Sequence, residues 1–188
     1  MIIRYALDLE LEQPKSNPQT PDSQLDSPRI IQVGVAFFNI RTGEIVETKS
    51  WYINIGVPLS AFIKELTSTT QDQLDTGTTI ETAYAELLLL IKAYKCFRQP
   101  ITWGGGDLRA LQDEVGLSDL GHVEMNVKTV YQAYAQILGW KRKIGLSGAC
   151  ERLGLSFIGR PHDAVNDAVN TARIYHYFMQ RLNKSTSL

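Results

Sequence analysis

The chain is predicted to be an α/β domain, a mixed five-stranded sheet flanked by helices. Three observations lead to this. Strand-forming segments crowd the first third, in the order "IIRYALDLEL", "IIQVGVAFFNI" and "IVETKSWYINI". The last two are separated only by the turn "RTGE", and short turns favour antiparallel neighbours. From Ser60 onward, helical periodicity alternates with short strand-like pieces, the pattern of a sheet covered by helices.

The elements follow in order. "IIRYALDLEL" alternates weakly and is rich in strand formers. Residues 13–29, "QPKSNPQTPDSQLDSPR", are a loop whose length marks it as functional or mobile. "IIQVGVAFFNI" reads as a buried strand and "IVETKSWYINI" as the third. "SAFIKELT" is a short helix, "TSTTQDQLDTGTT" a turn-rich stretch and "IETAYAELLLLIKAYK" a full amphipathic helix. "PITWGG" is a short strand, and "DLRALQDEVG" a helix that opens at Asp107 and stops at Gly116. "VEMNVKT" gives a fifth strand, while "VYQAYAQILG" and "GLSGACERLG" give helices. A last helix starts within a residue of His162, because Pro161 suits a first turn that needs no backbone N–H. There is no internal repeat. One domain is expected over 1–182, with a frayed tail over 183–188.

Composition narrows the function. The 188 residues are 44% hydrophobic and 21% charged, ordinary for a soluble globular protein. A net charge of −1 supplies no global field for nucleic acid, so such a role needs a local basic patch or bound cations. Two cysteines, Cys96 and Cys150, suggest no disulfide framework. No stretch is long enough to span a bilayer, and the N-terminal residues lack a signal-peptide layout. A cytoplasmic location with reduced thiols is expected.

The acidic residues carry the chemistry. Asp8 and Glu10 are two apart on the first strand, so both carboxylates project from one face. The plain alternative is the polar face of an edge strand. Asp107 follows "TWGGG" where a strand meets a helix, and Asp is also a favoured helix N-cap. Asp167 shares a helix face with Thr171, Ile174 and Phe178, beside a second stripe of Val165, Val169, Ala172 and His176. A carboxylate on so apolar a helix needs a partner, and Arg173 is one candidate. Taken together, four acids from these elements can converge at one end of a sheet. Four hard oxygen ligands suit Mg²⁺ or Mn²⁺, and two such ions can drive phosphodiester cleavage. His162 can take the proton from the attacking water.

The segments "LDLE", "TWGGGD" and "RPHDAVNDA" resemble the three motifs of the DEDDh 3′→5′ exonucleases, which have a ribonuclease-H-like fold. "GLSGACERLGLSFIGRPHDAVNDAVNTARIY" resembles the last motif region of the Eri1-like branch, and "IIQVGVAFFN" and "IKELTSTTQDQLD" occur in the expected order. The resemblance implies two divalent metal ions. Asp8 would bridge both, Glu10 and Asp167 would hold the ion that carries the attacking water, Asp107 would support the second ion, and His162 would be the general base. His162 stands five residues before Asp167; the tyrosine subclass would have Tyr at the position of Asp163. Five residues rotate about 500° on a helix, about 140° past a full turn. His162 can therefore share a site with Asp167 only from at or before the helix start.

The resemblance also implies contacts to the terminal nucleotide from Leu11, Leu66 and Thr67. Where the family carries a small residue and then Thr after the glutamate, this chain has Leu11 and Glu12, and Glu12 is placed to repel a phosphate. Trp103 is a base-stacking candidate, with core packing the plainer reading. Lys141–Lys143 can grip phosphate or form a solvated turn. His122 and His176 read as structural, and neither cysteine has metal-ligand spacing. The reading is a metal-dependent 3′→5′ exonuclease acting on single-stranded RNA or DNA 3′ ends, RNA in preference to DNA. A DNA proofreading or repair nuclease and a non-catalytic nucleic-acid binding module are the alternatives.

Overall fold

β1 (Ile3–Glu12) is the central strand of a five-stranded sheet in the order β3-β2-β1-β4-β5. The computed structural model describes residues 2–140 and 143–185. β1 pairs antiparallel with β2 (Arg29–Asn39), and β2 antiparallel with β3 (Ile45–Tyr52). On its other side β1 runs parallel to β4 (Ile101–Thr102), and β4 parallel to β5 (Met125–Asn126). The sheet is mixed and five-stranded as expected. β1 has a neighbour on each side, so Asp8 and Glu10 do not stand on an edge strand.

Seven helices cover the sheet among the described residues: α1 (Ala61–Thr67), α2 (Gln71–Asp75), α3 (Ile80–Ala93), α4 (Asp107–Val115), α5 (Val127–Ile137), α6 (Leu146–Arg152) and α7 (Ala164–Ser185). Strand alternation sorts them into two layers. Ile3, Tyr5, Leu7 and Leu9 of β1 share a buried core with Ile63, Leu74, Leu87, Leu108 and Leu111, so α1 to α4 lie on that face. Ala6, Ala36 and Phe38 share the other core with Tyr131, Cys150, Ala168 and Ala172, so α5 to α7 lie opposite.

Three boundaries differ from the sequence reading. α2 sits inside the stretch expected to be turns, and its start is held by a reciprocal cap in which Thr70 and Gln73 satisfy each other's backbone N–H. β5 is only two residues long, and α5 starts at once from Asn126, whose side chain accepts the Lys128 N–H. α7 starts at Ala164, two residues after His162, because Asp163 makes the cap: its Oδ1 accepts the Val165 N–H at 3.2 Å. Pro161 lies in the preceding turn rather than in the helix.

The long loop after β1 is organised by its own turns. Ser23 N–H donates to Thr20 O, Thr20 N–H to Asn17 O, and Asp22 accepts the Ala61 N–H at 2.8 Å at the start of α1. No helix among the described residues is long and apolar enough to cross a membrane. Within the expected tail, 183–185 continue α7 and 186–188 lie outside the described residues, as do Lys141 and Arg142 of the basic triplet.

Candidate active site

Asp8 and Glu10 share the β1 face with Ala6, which lies under α7. Asp8 is paired with Gly34 of β2. A Cβ on Gly34 would lie 2.1 Å from the Ala164 carbonyl carbon and 2.2 Å from the Val165 nitrogen. The start of α7 therefore rests backbone-on-backbone against the sheet beside Asp8, a contact only glycine allows. Gln32, the cross-strand partner of Glu10, accepts the Ala164 N–H at 3.1 Å and donates to Ser50 Oγ at 3.0 Å. The first turn of α7 is thus pinned over both acids.

That turn delivers the rest of the cluster. Asp167 is in the first turn of α7, its N–H donating to Asp163 O at 2.9 Å. His162 is exposed, lies before the helix, and has a φ of 61°. One ligand atom each from Glu10, His162 and Asp167 lie within 4.8 Å of one another. Arg173 is not the partner of Asp167: its Nη1 donates to Asn170 Oδ1 at 2.9 Å and to Ser156 O. Asp167 Oδ1 is buried with no hydrogen-bond partner among the described residues.

Asp107 enters from the parallel side of the sheet. Gly104, Gly105 and Gly106 all have positive φ, at 114°, 80° and 105°, and turn the chain from β4 into α4. Asp107 is not the cap of α4. Gly106 holds that position, and the carboxylate of Glu124 accepts from Gly106 N–H and from Leu108 N–H, the latter at 3.1 Å. Asn126 Oδ1 holds the Gly104 N–H at 3.1 Å. Glu124 serves the helix start, and the Asp107 carboxyl lies near enough to Asp8 to raise its pKa.

The electrostatics show how closely the acids crowd. Burial, then the charges of Asp107, Asp167, Glu10 and Asp163, pushes the Asp8 carboxyl well above its ordinary range. Burial, with Asp167 and Asp163, pushes Glu10 up to about 8. Burial and Glu124 push Asp107 up to about 7. Burial pushes Asp167 up to about 6, with Asp163 adding to the rise. Such a cluster disfavours full ionisation unless a positive charge joins it. Crowded hard oxygens and an orphaned buried carboxylate oxygen both fit a divalent cation.

The remaining candidates lie at different places. Leu11 and Leu66 are half-buried against the α1–α4 core. Thr67 is buried, and its hydroxyl donates to Ile63 O at 2.9 Å. Trp103 belongs to the opposite core, its ring 5.8 Å from that of Tyr131. Glu12 does not face a phosphate: the register shifts after Glu10, and the buried Glu12 carboxylate accepts from Ser60 N–H at 2.8 Å and from its hydroxyl at 2.9 Å. His176 bonds Ile40 O and Gln180, a structural role, whereas His122 is exposed.

The sequence reading missed Gly34, Gln32, Asp163 and Glu124. A lone glycine inside "QVGVAF" signals a close backbone approach, and Asp before an apolar helix signals a cap. Nothing local points from Glu124 to Gly106, because that bond forms only once β4 and β5 pair.

A family model described as exonuclease matches residues 7–175. Mouse ERI1 exoribonuclease 2 is 28% identical over 170 residues, which covers 78% of this chain and 25% of that protein. Human 3′-5′ exoribonuclease 1 is 29% identical over 157 residues, 77% of this chain and 44% of that protein. The chain thus spans less than half the length of these curated relatives. The crystal structure of the nuclease domain of 3′hExo, a DEDDh family member bound to rAMP, superposes with a TM-score of 0.76 at 25% identity, covering 95% of this chain and 92% of that one.

Proposed function

The chain belongs to the RNase T exonuclease family, and on that premise we propose that it is a metal-dependent 3′→5′ exonuclease. It removes nucleoside monophosphates from single-stranded ends, RNA in preference to DNA. The observation that carries this reading is the meeting of Glu10, His162 and Asp167 within 4.8 Å, with Asp167 Oδ1 unpartnered. RNA is favoured because the curated relatives are named exoribonucleases and the similar nuclease domain is bound to rAMP.

Asp8, Glu10, Asp107 and Asp167 would hold two divalent ions, Mg²⁺ or Mn²⁺, with Glu10 and Asp167 the acids nearest His162. Bound there, the ions supply the positive charge that activates a water and steadies the leaving oxygen. His162 is exposed beside Glu10 and Asp167 and takes the proton from the attacking water. Leu11 and Leu66 offer apolar surface to the terminal nucleotide, with Thr67 fixing the end of α1 beneath it. Trp103 is assigned to packing against Tyr131. A cytoplasmic setting is part of this proposal and rests on a composition of two cysteines with no disulfide framework; burial pushes the thiols of Cys96 and Cys150 up to about 11.

The test uses single strands labelled at the 5′ end, as RNA and as DNA of the same sequence, with Mn²⁺ or chelator. The label is expected to shorten stepwise with metal only, faster on RNA, while a long duplex resists. Early release of a labelled mononucleotide, or efficient cutting of a circular strand, contradicts 3′→5′ polarity. Equal or reversed rates on DNA defeat the sugar preference, because a 2′-hydroxyl is read only by a group placed at that ribose.

A further inference from the structure

Arg160 stands two residues before His162 and is held from two directions. Its backbone carbonyl accepts from Asn166 Nδ2 of α7 at 3.3 Å. The chain just before it is strapped along the same helix: buried Asn170 binds Ile158 through both N–H and C=O, at 3.1 Å and 2.9 Å. The Arg160 side chain leaves the turn before α7 and crosses to α1. There Nη2 donates to Thr67 O and Nη1 to Ser68 Oγ. Both ends of this bridge carry a non-glycine residue in the left-handed region, Ser68 at φ 51° and His162 at φ 61°. Such conformations persist where the surroundings over-determine them.

The guanidinium also draws the carboxyl pKa values of Glu10 and Asp167 down, so it lies within electrostatic reach of the acids that flank His162. Its two hydrogen bonds nonetheless go to α1, to the segment that holds Leu66 and Thr67. Two donors in a rigid plane suit two acceptors on successive residues. A lysine, with one nitrogen on a flexible stem, cannot reproduce that geometry.

We propose that Arg160 is a positioning residue: it ties the turn that carries His162 to the C-terminal end of α1, so that the base and the terminal-nucleotide contacts keep one spacing. This rests on the exonuclease reading above. A misplacement of about 1 Å at a reacting group costs on the order of 10²-fold, so a clamp of this kind has a measurable effect on turnover.

The test measures kcat on single-stranded RNA and Mn²⁺ affinity by calorimetry, for Arg160→Ala, Arg160→Lys and Ser68→Gly, with His162→Ala as a second background. Arg160→Ala and Arg160→Lys are expected to lose roughly 10–10²-fold in kcat. Mn²⁺ affinity should hold in the lysine variant, and hold or tighten in the alanine variant, because a cation beside Glu10 and Asp167 has been removed. Ser68→Gly deletes one acceptor at a φ that glycine adopts readily, and is expected to lose less. In the His162→Ala background, Arg160→Ala should cost under about threefold, since a residue acting through another shows strong coupling to it.

Wild-type kcat in Arg160→Lys overturns the clamp in favour of charge alone. Parallel loss of kcat and Mn²⁺ affinity in Arg160→Ala overturns it in favour of general collapse of the site, and full additivity with His162→Ala shows that it does not act through the base. Should Arg160→Ala not fold, Arg160→Lys and Ser68→Gly decide the matter. Wild-type protein without Mn²⁺-dependent hydrolysis removes the exonuclease reading itself, an outcome separate from failure of the clamp.

Discussion

His162 lies close enough to Glu10 and Asp167 to bind a cation with them, yet its exposure suits proton transfer. The two roles predict different defects. His162→Ala should lose roughly 10²–10⁴-fold in turnover, typical of a lost general base, with Mn²⁺ affinity near wild type. Calorimetry showing affinity lost as severely as in Asp8→Ala would reassign the histidine to the ligand set. At this scale the site was legible where partners are close in sequence or their role follows from spacing. Asp8 and Glu10 share a face because strand residues alternate, and five residues of separation put His162 outside the helix. Glu124 was not legible, since its bonds to the amides around Asp107 depend on two parallel strands meeting. Glu12 was misjudged because a register shift after Glu10 breaks the alternation that otherwise locates side chains.

At the level of elements, the site depends on how α7 seats on β2. The sequence identified both as elements, but not that Gly34 lets their backbones touch or that Asp163 and Gln32 satisfy the first amides of the helix. The start is set by a local cap, Asp163, together with a tertiary partner, Gln32, which is why Pro161 alone pointed two residues too early. Gly34→Ala tests the seating. Its new Cβ would lie 2.1 Å from the Ala164 carbonyl carbon, so α7 must move. Overpacking of this kind costs about 1–3 kcal/mol, and the shift carries Asp167 and His162 away from Asp8 and Glu10. The variant is expected to unfold at lower denaturant and to bind Mn²⁺ more weakly than that loss of stability alone explains. A variant that loses stability but keeps wild-type Mn²⁺ affinity would show that the ligand geometry does not depend on this contact.

Across the whole molecule, the crowded acids link folding, pH and metal. Folding raises the Glu10 pKa from 4.5 to about 8, the Asp107 pKa from 3.8 to about 7, and the Asp167 pKa from 3.8 to about 6. A carboxyl with a raised pKa binds more protons folded than unfolded over the interval between the two values. The stability it supports is therefore complete below the unfolded pKa and lost as pH rises through the folded one. In chelator, stability should fall from about pH 4 to about pH 8. A divalent ion binds the deprotonated folded site and reverses the repulsion, adding roughly 2.7 kcal/mol at a hundredfold excess over its Kd. The gain on adding Mn²⁺ should thus be larger at pH 8 than at pH 6, where more of these carboxyls are protonated. Asp8→Asn removes one charge with little change of shape. It should melt above wild type in chelator at pH 8, gain much less from Mn²⁺, and be inactive. Thermal melts of both proteins across pH, with chelator and with millimolar Mn²⁺, separate this from scattered surface acids, which give no metal response and no melting difference between the two proteins. A wild-type protein that stays folded and shows no Mn²⁺-dependent shift at pH 8 would rule out the shared metal site.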